Sequence, residues 1–211
     1  MSLIDQSVRD LLTAFSSSDP TPGGGSASAL ASAVGASLLM MVAGLPRTRS
    51  GSDEDRAALT AAAVRLAGIR ERLSHAIDAD TTAYDQVVAA YKQPKASPDE
   101  QSARKAAIQD ALHAATDVPL GVVRLSAGAL DEAIAVARHG HRAAASDVGV
   151  AVALLRAGAR GAQLNVEINV GSITDAGYTG EVAAEIARLS DGVARAADEA
   201  DALLRGAAGH G

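Results

Sequence analysis

Between Asp19 and Arg47 the chain carries no charged residue, and it enters that stretch through Asp19-Pro-Thr-Pro-Gly-Gly-Gly-Ser26. Two prolines and three successive glycines suit neither a helix nor a strand, whereas Ser26 to Ala43 is a helical run of small and apolar residues. The loop predicts a helix entrance, and the missing charge predicts a helix enclosed on most sides. Backbone N–H groups at an entrance lack partners within the helix, and the aligned peptide dipoles add positive charge, so a carboxylate, a phosphate or a polar ring edge is welcome there. A flexible connector or a plain N-cap has the same composition, but a connector seldom leads into an enclosed core helix. The spacing matches neither a P-loop, for no Lys-Ser or Lys-Thr follows, nor the dinucleotide fingerprint, for no strand precedes it.

The 211 residues predict a single domain, 1–211, able to bury its own core. Alanine is abundant, aromatics are 2% and tryptophan is absent, a palette for closely packed helices and for a helical oligomer. With no cysteine there are no disulfides and no thiol chemistry, and a cytoplasmic setting is expected. The net charge of −6 argues against a nucleic-acid partner. Gly23 to Leu45 is long enough to cross a membrane, but it is dominated by Ala, Ser and Gly and has no companion span, so no membrane association is expected. The N-terminus lacks the basic-then-apolar order of a signal peptide.

Along the chain, Val8, Leu11, Leu12 and Phe15 predict a short amphipathic helix. Ser52-Asp-Glu-Asp55 starts a long helix reaching about Tyr91. Ser97-Pro-Asp-Glu100 starts another, which Pro119 should kink or interrupt. A further helix runs from Ala145-Ser-Asp147 to about Ile173; its β-branched end, Gln163 to Val170, has no partner strand and stays helical. The last helix is expected over about 179–204, with a disordered tail from Gly206.

Asp80 is the residue that breaks a rule. Leu59, Ala62, Leu66, Ile69, Leu73 and Ala76 step by three and four along one face, and the next position in the series is this carboxylate, followed by Ala83 and Val87. An acid on a core seam has either a dedicated protein partner or a cavity whose contents supply one. Desolvation would raise its pKa and suit it to proton transfer. Asp78 and Asp85, off the seam, are expected to be solvated. Asn165 and Asn169 stack on one helix face in an apolar stretch and want partners from protein or ligand. His139 and His141, two apart with no third ligand in sight, make a poor metal site, and no metal is expected.

With these residues in hand, the chain resembles the cyclodeaminase/cyclohydrolase family of one-carbon folate enzymes, which includes the C-terminal domain of formiminotransferase-cyclodeaminase. The likeness is carried in order by Pro22-Gly23-Gly24-Gly25-Ser26, Asp80-Thr-Thr-Ala-Tyr84, Pro94-Lys95 and Arg104. Val118-Pro-Leu120, Gly140 with Ser146-Asp147, Gly161-Ala162 and Asn165-Val-Glu-Ile-Asn169 complete it. It departs at His141, where the family commonly has Asn, and at Gln93, where Leu precedes Pro-Lys. The resemblance implies an all-α antiparallel bundle of long helices that dimerises through helices. It also implies a folate held near the glycine loop, with Asp80 transferring protons.

On that reading Asp147 is a second acid or an orienter. Pro22 to Ser26, Tyr84, Lys95, His141, Asn165 and Asn169 hold the substrate. The reaction is either cyclodeamination of formiminotetrahydrofolate or hydrolysis of methenyltetrahydrofolate, with no cofactor besides the folate substrate. The alternative is a folate-binding or scaffold protein that kept the fold and lost the chemistry.

Overall fold

The computed structural model describes residues 2–208. Six α-helices follow one another: α1 (Val8–Phe15), α2 (Gly24–Ala43), α3 (Asp53–Tyr91), α4 (Pro98–His139), α5 (Ala145–Val170) and α6 (Ala176–Ala208), with 3₁₀ turns at Leu3–Asp5 and Arg142–Ala144. Short corners make α2 to α6 run alternately up and down. Among the described residues there is no strand, only an isolated bridge between Thr48 and Gly140. The tail expected from Gly206 is corrected as far as Ala208, where α6 continues, and its remainder, residues 209–211, lies outside the described residues.

The helix starts follow from their caps. The hydroxyls of Ser7 and Ser52 accept from Asp10 N–H and Asp55 N–H, and Ser97 forms a reciprocal capping box with Glu100. Asp175 Oδ1 accepts from the amides of Gly177 and Tyr178, so α6 begins at Ala176, earlier than the sequence suggested.

α2 is the hub, packed by α3, α4 and α5. Its length and composition would allow a membrane crossing, but Ala29, Ala36, Leu39 and Val42 are fully buried against neighbouring helices. Small side chains let the backbones meet. A Cβ on Gly158 of α5 would fall 2.0 Å from Ser32 Oγ and 2.7 Å from the Ser28 carbonyl oxygen of α2. The buried hydroxyls of Ser32 and Ser126, 2.8 Å apart, tie α2 to α4.

The seam of α3 is largely as read: Leu59, Ala62, Leu66, Leu73 and Ala83 are buried, with Ile77 joining them and Ile69 and Ala76 at its margin. Asp78 corrects the expectation of a solvated acid. It accepts from Ser2 Oγ and Leu3 N–H at 2.6 Å each and anchors the N-terminal 3₁₀ turn.

α4 passes through Pro119 without a break, so the proline does not interrupt the helix as one of its two expected effects. A proline at 119 cannot donate to the Ala115 carbonyl one turn back. Asn169 Nδ2 of α5 donates there instead, at 2.8 Å. The lost backbone bond has become a tie between helices.

The α3–α4 hairpin overhangs the start of α2. Ala90, Ile108 and Leu112 form a small satellite core beyond the main one. A cleft opens beneath this overhang.

Candidate active site

The cleft holds about 290 Å³ and is lined by Gly23 to Gly25, Asp80, Tyr84, Asn165 and Asn169, with Ala83, Val87, Leu112 and Ala115 as its apolar wall. Asp80 reaches it from the middle of α3 and meets the first turn of α2. Ser26 N–H donates to Asp80 Oδ2 at 3.0 Å; the Ser26 hydroxyl lies 3.3 Å from the same oxygen and 2.8 Å from the Ile77 carbonyl oxygen. The anion that the α2 entrance attracts is therefore, in part, the protein's own carboxylate.

Gly25 makes that approach possible. A Cβ there would sit 1.9 Å from Asp80 Oδ1 and 2.4 Å from its Cγ. The side chain rests on bare backbone. Oδ1 has no hydrogen-bond donor among the described residues, while Oδ2 is held, so one oxygen is fixed and the other is unpartnered on a residue that lines the cleft. Burial pushes the Asp80 pKa above the ordinary carboxylate value, against the opposing pull of the Ser26 amide and hydroxyl.

The two asparagines are oriented by their amide nitrogens. Asn165 Nδ2 donates to the Gly161 carbonyl and Asn169 Nδ2 to that of Ala115, each at 2.8 Å. Both carbonyl oxygens are left without a donor among the described residues. The amides of Gly24 and Gly25 likewise find no acceptor, because the first turn of α2 has no side-chain cap. The cleft thus offers two amide donors, two amide acceptors and one acid, in front of an apolar wall.

Not every expected residue comes here. Ser26 is fully buried and touches Asp80 rather than open space. Pro22, joined to Thr21 by a cis peptide, shapes the loop without lining the cleft. Lys95 lies at the tip of the overhang, in a separate depression with Arg104 and Lys105. His141 and Asp147 are at the opposite end of the bundle. Asp147 stands 18 residues before Asn165 on α5, about 27 Å along a helix, so it cannot serve Asp80 within one chain. The family resemblance had grouped, by motif order, what the up-and-down topology separates within one chain.

At that opposite end, His139 Nδ1 donates to Asp55 Oδ1 at 2.7 Å, and Ser50 N–H and Oγ reach Asp55 Oδ2 at 2.6 and 2.7 Å. The His139 bond, then those from Ser50, hold the Asp55 pKa far below the carboxylate range despite burial. Sequence reading missed this pair, whose members are 84 positions apart and carry no mutual signal. Among the described residues no group of three or more His, Cys, Asp or Glu is placed to hold a metal ion.

Fold and cleft together define a helical-bundle protein with a single acid of raised pKa at a ligand-sized opening. Residues 7–188 match the family described as Formiminotransferase-cyclodeaminase, and the chain belongs to that family. It is 38% identical over 185 residues to the methenyltetrahydrofolate cyclohydrolase of Methylorubrum extorquens, covering 88% of this chain and 89% of that one. It is 30% identical over 188 residues to the formimidoyltransferase-cyclodeaminase of Sus scrofa, where it spans 89% of its own length but 35% of the relative's. The crystal structure of formiminotetrahydrofolate cyclodeaminase from Thermotoga maritima superposes with a TM-score of 0.85 and 25% identity, over 96% of this chain and 97% of that one.

Proposed function

We propose that the chain is a one-carbon folate enzyme whose reaction is the hydrolysis of methenyltetrahydrofolate to formyltetrahydrofolate, with Asp80 as the proton shuttle. The observation that carries this is the divided carboxyl group: Oδ2 is fixed by Ser26 while Oδ1 has no donor, on a residue that lines the cleft and in an environment that favours the protonated form. Water adds to the methenyl carbon, giving a tetrahedral centre between two nitrogens, and one C–N bond then opens. Asp80 takes a proton as the water adds and returns it to the departing nitrogen, while the remaining hydroxyl proton passes to solvent as the formyl carbonyl forms. A placed acid–base group of this kind contributes about 10²–10⁴-fold in rate. The chemistry needs proton transfer alone, and this reading includes no cofactor.

The polar edge of the pterin pairs with the amides of Gly24 and Gly25 and with the Asn165 and Asn169 carbonyls. The cleft volume of about 290 Å³ suits the reacting head of the molecule. The tail then extends past Tyr84, which is 41% exposed, toward Lys95. Hydrolysis is placed first because the cyclohydrolase relative matches over nearly the full length of both chains.

The likeness to the Thermotoga cyclodeaminase structure favours a second reading, in which a ring nitrogen closes on a formimino carbon and ammonia leaves. The same acid serves that step. In either reading the chain works in the cytoplasm as a homodimer. Val34 and Met41 on α2, with Val150, Leu164 and Ile168 on α5, are exposed apolar side chains at helical spacings, and a second copy would cover them.

The deciding experiment follows methenyltetrahydrofolate by absorbance with the wild type and Asp80→Asn. Wild-type hydrolysis, falling at least about a hundredfold in the variant with folate binding retained, is the expected result. Wild-type binding without turnover of methenyl or formimino substrate would leave the binding-protein alternative. Near-normal turnover of the variant would remove Asp80 from the mechanism.

A further inference from the structure

A basic opening lies far from Asp80. Between the α2–α3 loop and the α4–α5 corner is a cavity of about 570 Å³ lined by Arg47, Arg49, Arg56 and Arg142, with Asp53 as its only carboxylate. Two of the guanidinium groups have structural work. Arg56 donates to the carbonyls of Ala43, Leu45 and Pro46 as α2 ends, and Arg49 Nη2 to Ala137 as α4 ends. These bonds complement the negative C-terminal ends of both helices.

Arg49 Nε is nevertheless buried with no acceptor, an arrangement that costs free energy unless something fills it. Arg47 and Arg142 form no ion pair or side-chain hydrogen bond among the described residues, although acids elsewhere on the surface recruit Arg65, Arg124, Arg138 and Arg156. Asp55, the nearest buried acid, is fully engaged by His139 and Ser50. The walls are also braced. Arg49 N–H donates to the His139 carbonyl at 2.7 Å, and Thr48 bridges to Gly140.

We propose that this cavity binds a compact multivalent oxyanion, a phosphate or a tricarboxylate, through the unpaired guanidinium groups of Arg47 and Arg142, beside Arg49. Guanidinium forks match both oxyanions in geometry and charge. A bound anion joins two corners that carry unpaired positive charge, so it stabilises the folded chain. The site lies about 36 Å along α3 from Asp80, measured from Arg56 over 24 residues. It is a second ligand site and does not depend on the folate reading.

The test is thermal unfolding and calorimetric titration of the full chain with inorganic phosphate and with citrate, against sodium chloride at matched ionic strength. At least one oxyanion raises the unfolding temperature beyond chloride. Arg47→Gln combined with Arg142→Gln weakens its binding at least about tenfold, as expected from the loss of charge-assisted contacts, and Arg47→Lys with Arg142→Lys retains most of it. The anion-free unfolding temperature stays unchanged in these variants, because both side chains are exposed and unpaired. The stronger of the two anions identifies the source. No shift beyond chloride for either anion, or a shift undiminished in the double Gln variant, overturns the proposal.

Discussion

Asp55 and Asp80 stand on the same helix, 25 residues apart, and their surroundings push them in opposite directions. Asp55 is surrounded by donors, from His139 and from the backbone and hydroxyl of Ser50, and its pKa falls far below the usual range. Asp80 has the donors of one residue, Ser26, and a cleft on its other side, and burial drives its pKa up. One acid is satisfied by the fold and braces it. The other is left partly unsatisfied and is available to a substrate. The same contrast runs through each end: paired Arg49, Arg56 and His139 hold the far corners, while free amides and carbonyls collect around the glycine loop.

Asp80→Asn tests this contrast most strongly. Turnover should fall by at least about a hundredfold, while stability at neutral pH should rise. In the folded chain burial favours the neutral carboxyl, so the wild type loses stability as pH climbs from the ordinary aspartate range through the raised folded value. The amide has no such penalty. Thermal melts at pH 7 and pH 3.5 check it: the gain should be present in the first and gone in the second.

Gly25→Ala comes next. Its Cβ must displace the Asp80 carboxyl, which should cost about 1–3 kcal/mol of overpacking and turnover on the order of tenfold to a hundredfold by misplacement. Gly121→Ala on α4 is the control. A Cβ there meets nothing within 4 Å, and the helix should gain about 0.5–1 kcal/mol.

A smaller effect on turnover is expected from Asn169→Leu, which strips the Ala115 carbonyl of the donor that replaces the missing proline N–H. Losing the bond to that part-buried acceptor should cost about 0.5–1.5 kcal/mol, read from denaturant midpoints. His139→Ala should leave turnover at Asp80 unchanged and lower the unfolding temperature at pH 7. The stabilisation from a depressed acid is fully present above its unfolded value of about 3.9 and is lost as pH falls through the folded one. Wild type and variant should therefore converge in acid. A turnover defect in His139→Ala would join the two ends functionally and dissolve the contrast.

Much of the bundle was legible because its signals are local. Seryl caps and acids in first turns mark the starts of α3 and α4 within a few residues, a three-four apolar rhythm marks α3, and the charge-free run marks α2 as enclosed. Asp80 stood out because a carboxylate on a hydrocarbon seam breaks a pattern readable from the sequence. What escaped were relations across the fold. Nothing near Pro119 announces Asn169, and nothing near Asp55 announces His139. Asp78 looked solvated because its partners, Ser2 and Leu3, are more than seventy positions away. Asp147 and His141 looked like site residues because motif order says nothing about which end of an up-and-down bundle a segment occupies.

The amino-acid order by itself determined the helices, the enclosed α2 and the single misplaced acid, because each depends on neighbours one or two turns away. Tertiary packing alone decided that Gly25 would lie against Asp80, that one carboxyl oxygen would be pinned and the other left open, and that the arginine-rich corners would gather at the far end. Pairing, burial and the direction of a pKa shift depend on groups brought together through space, and local periodicity carries no record of them.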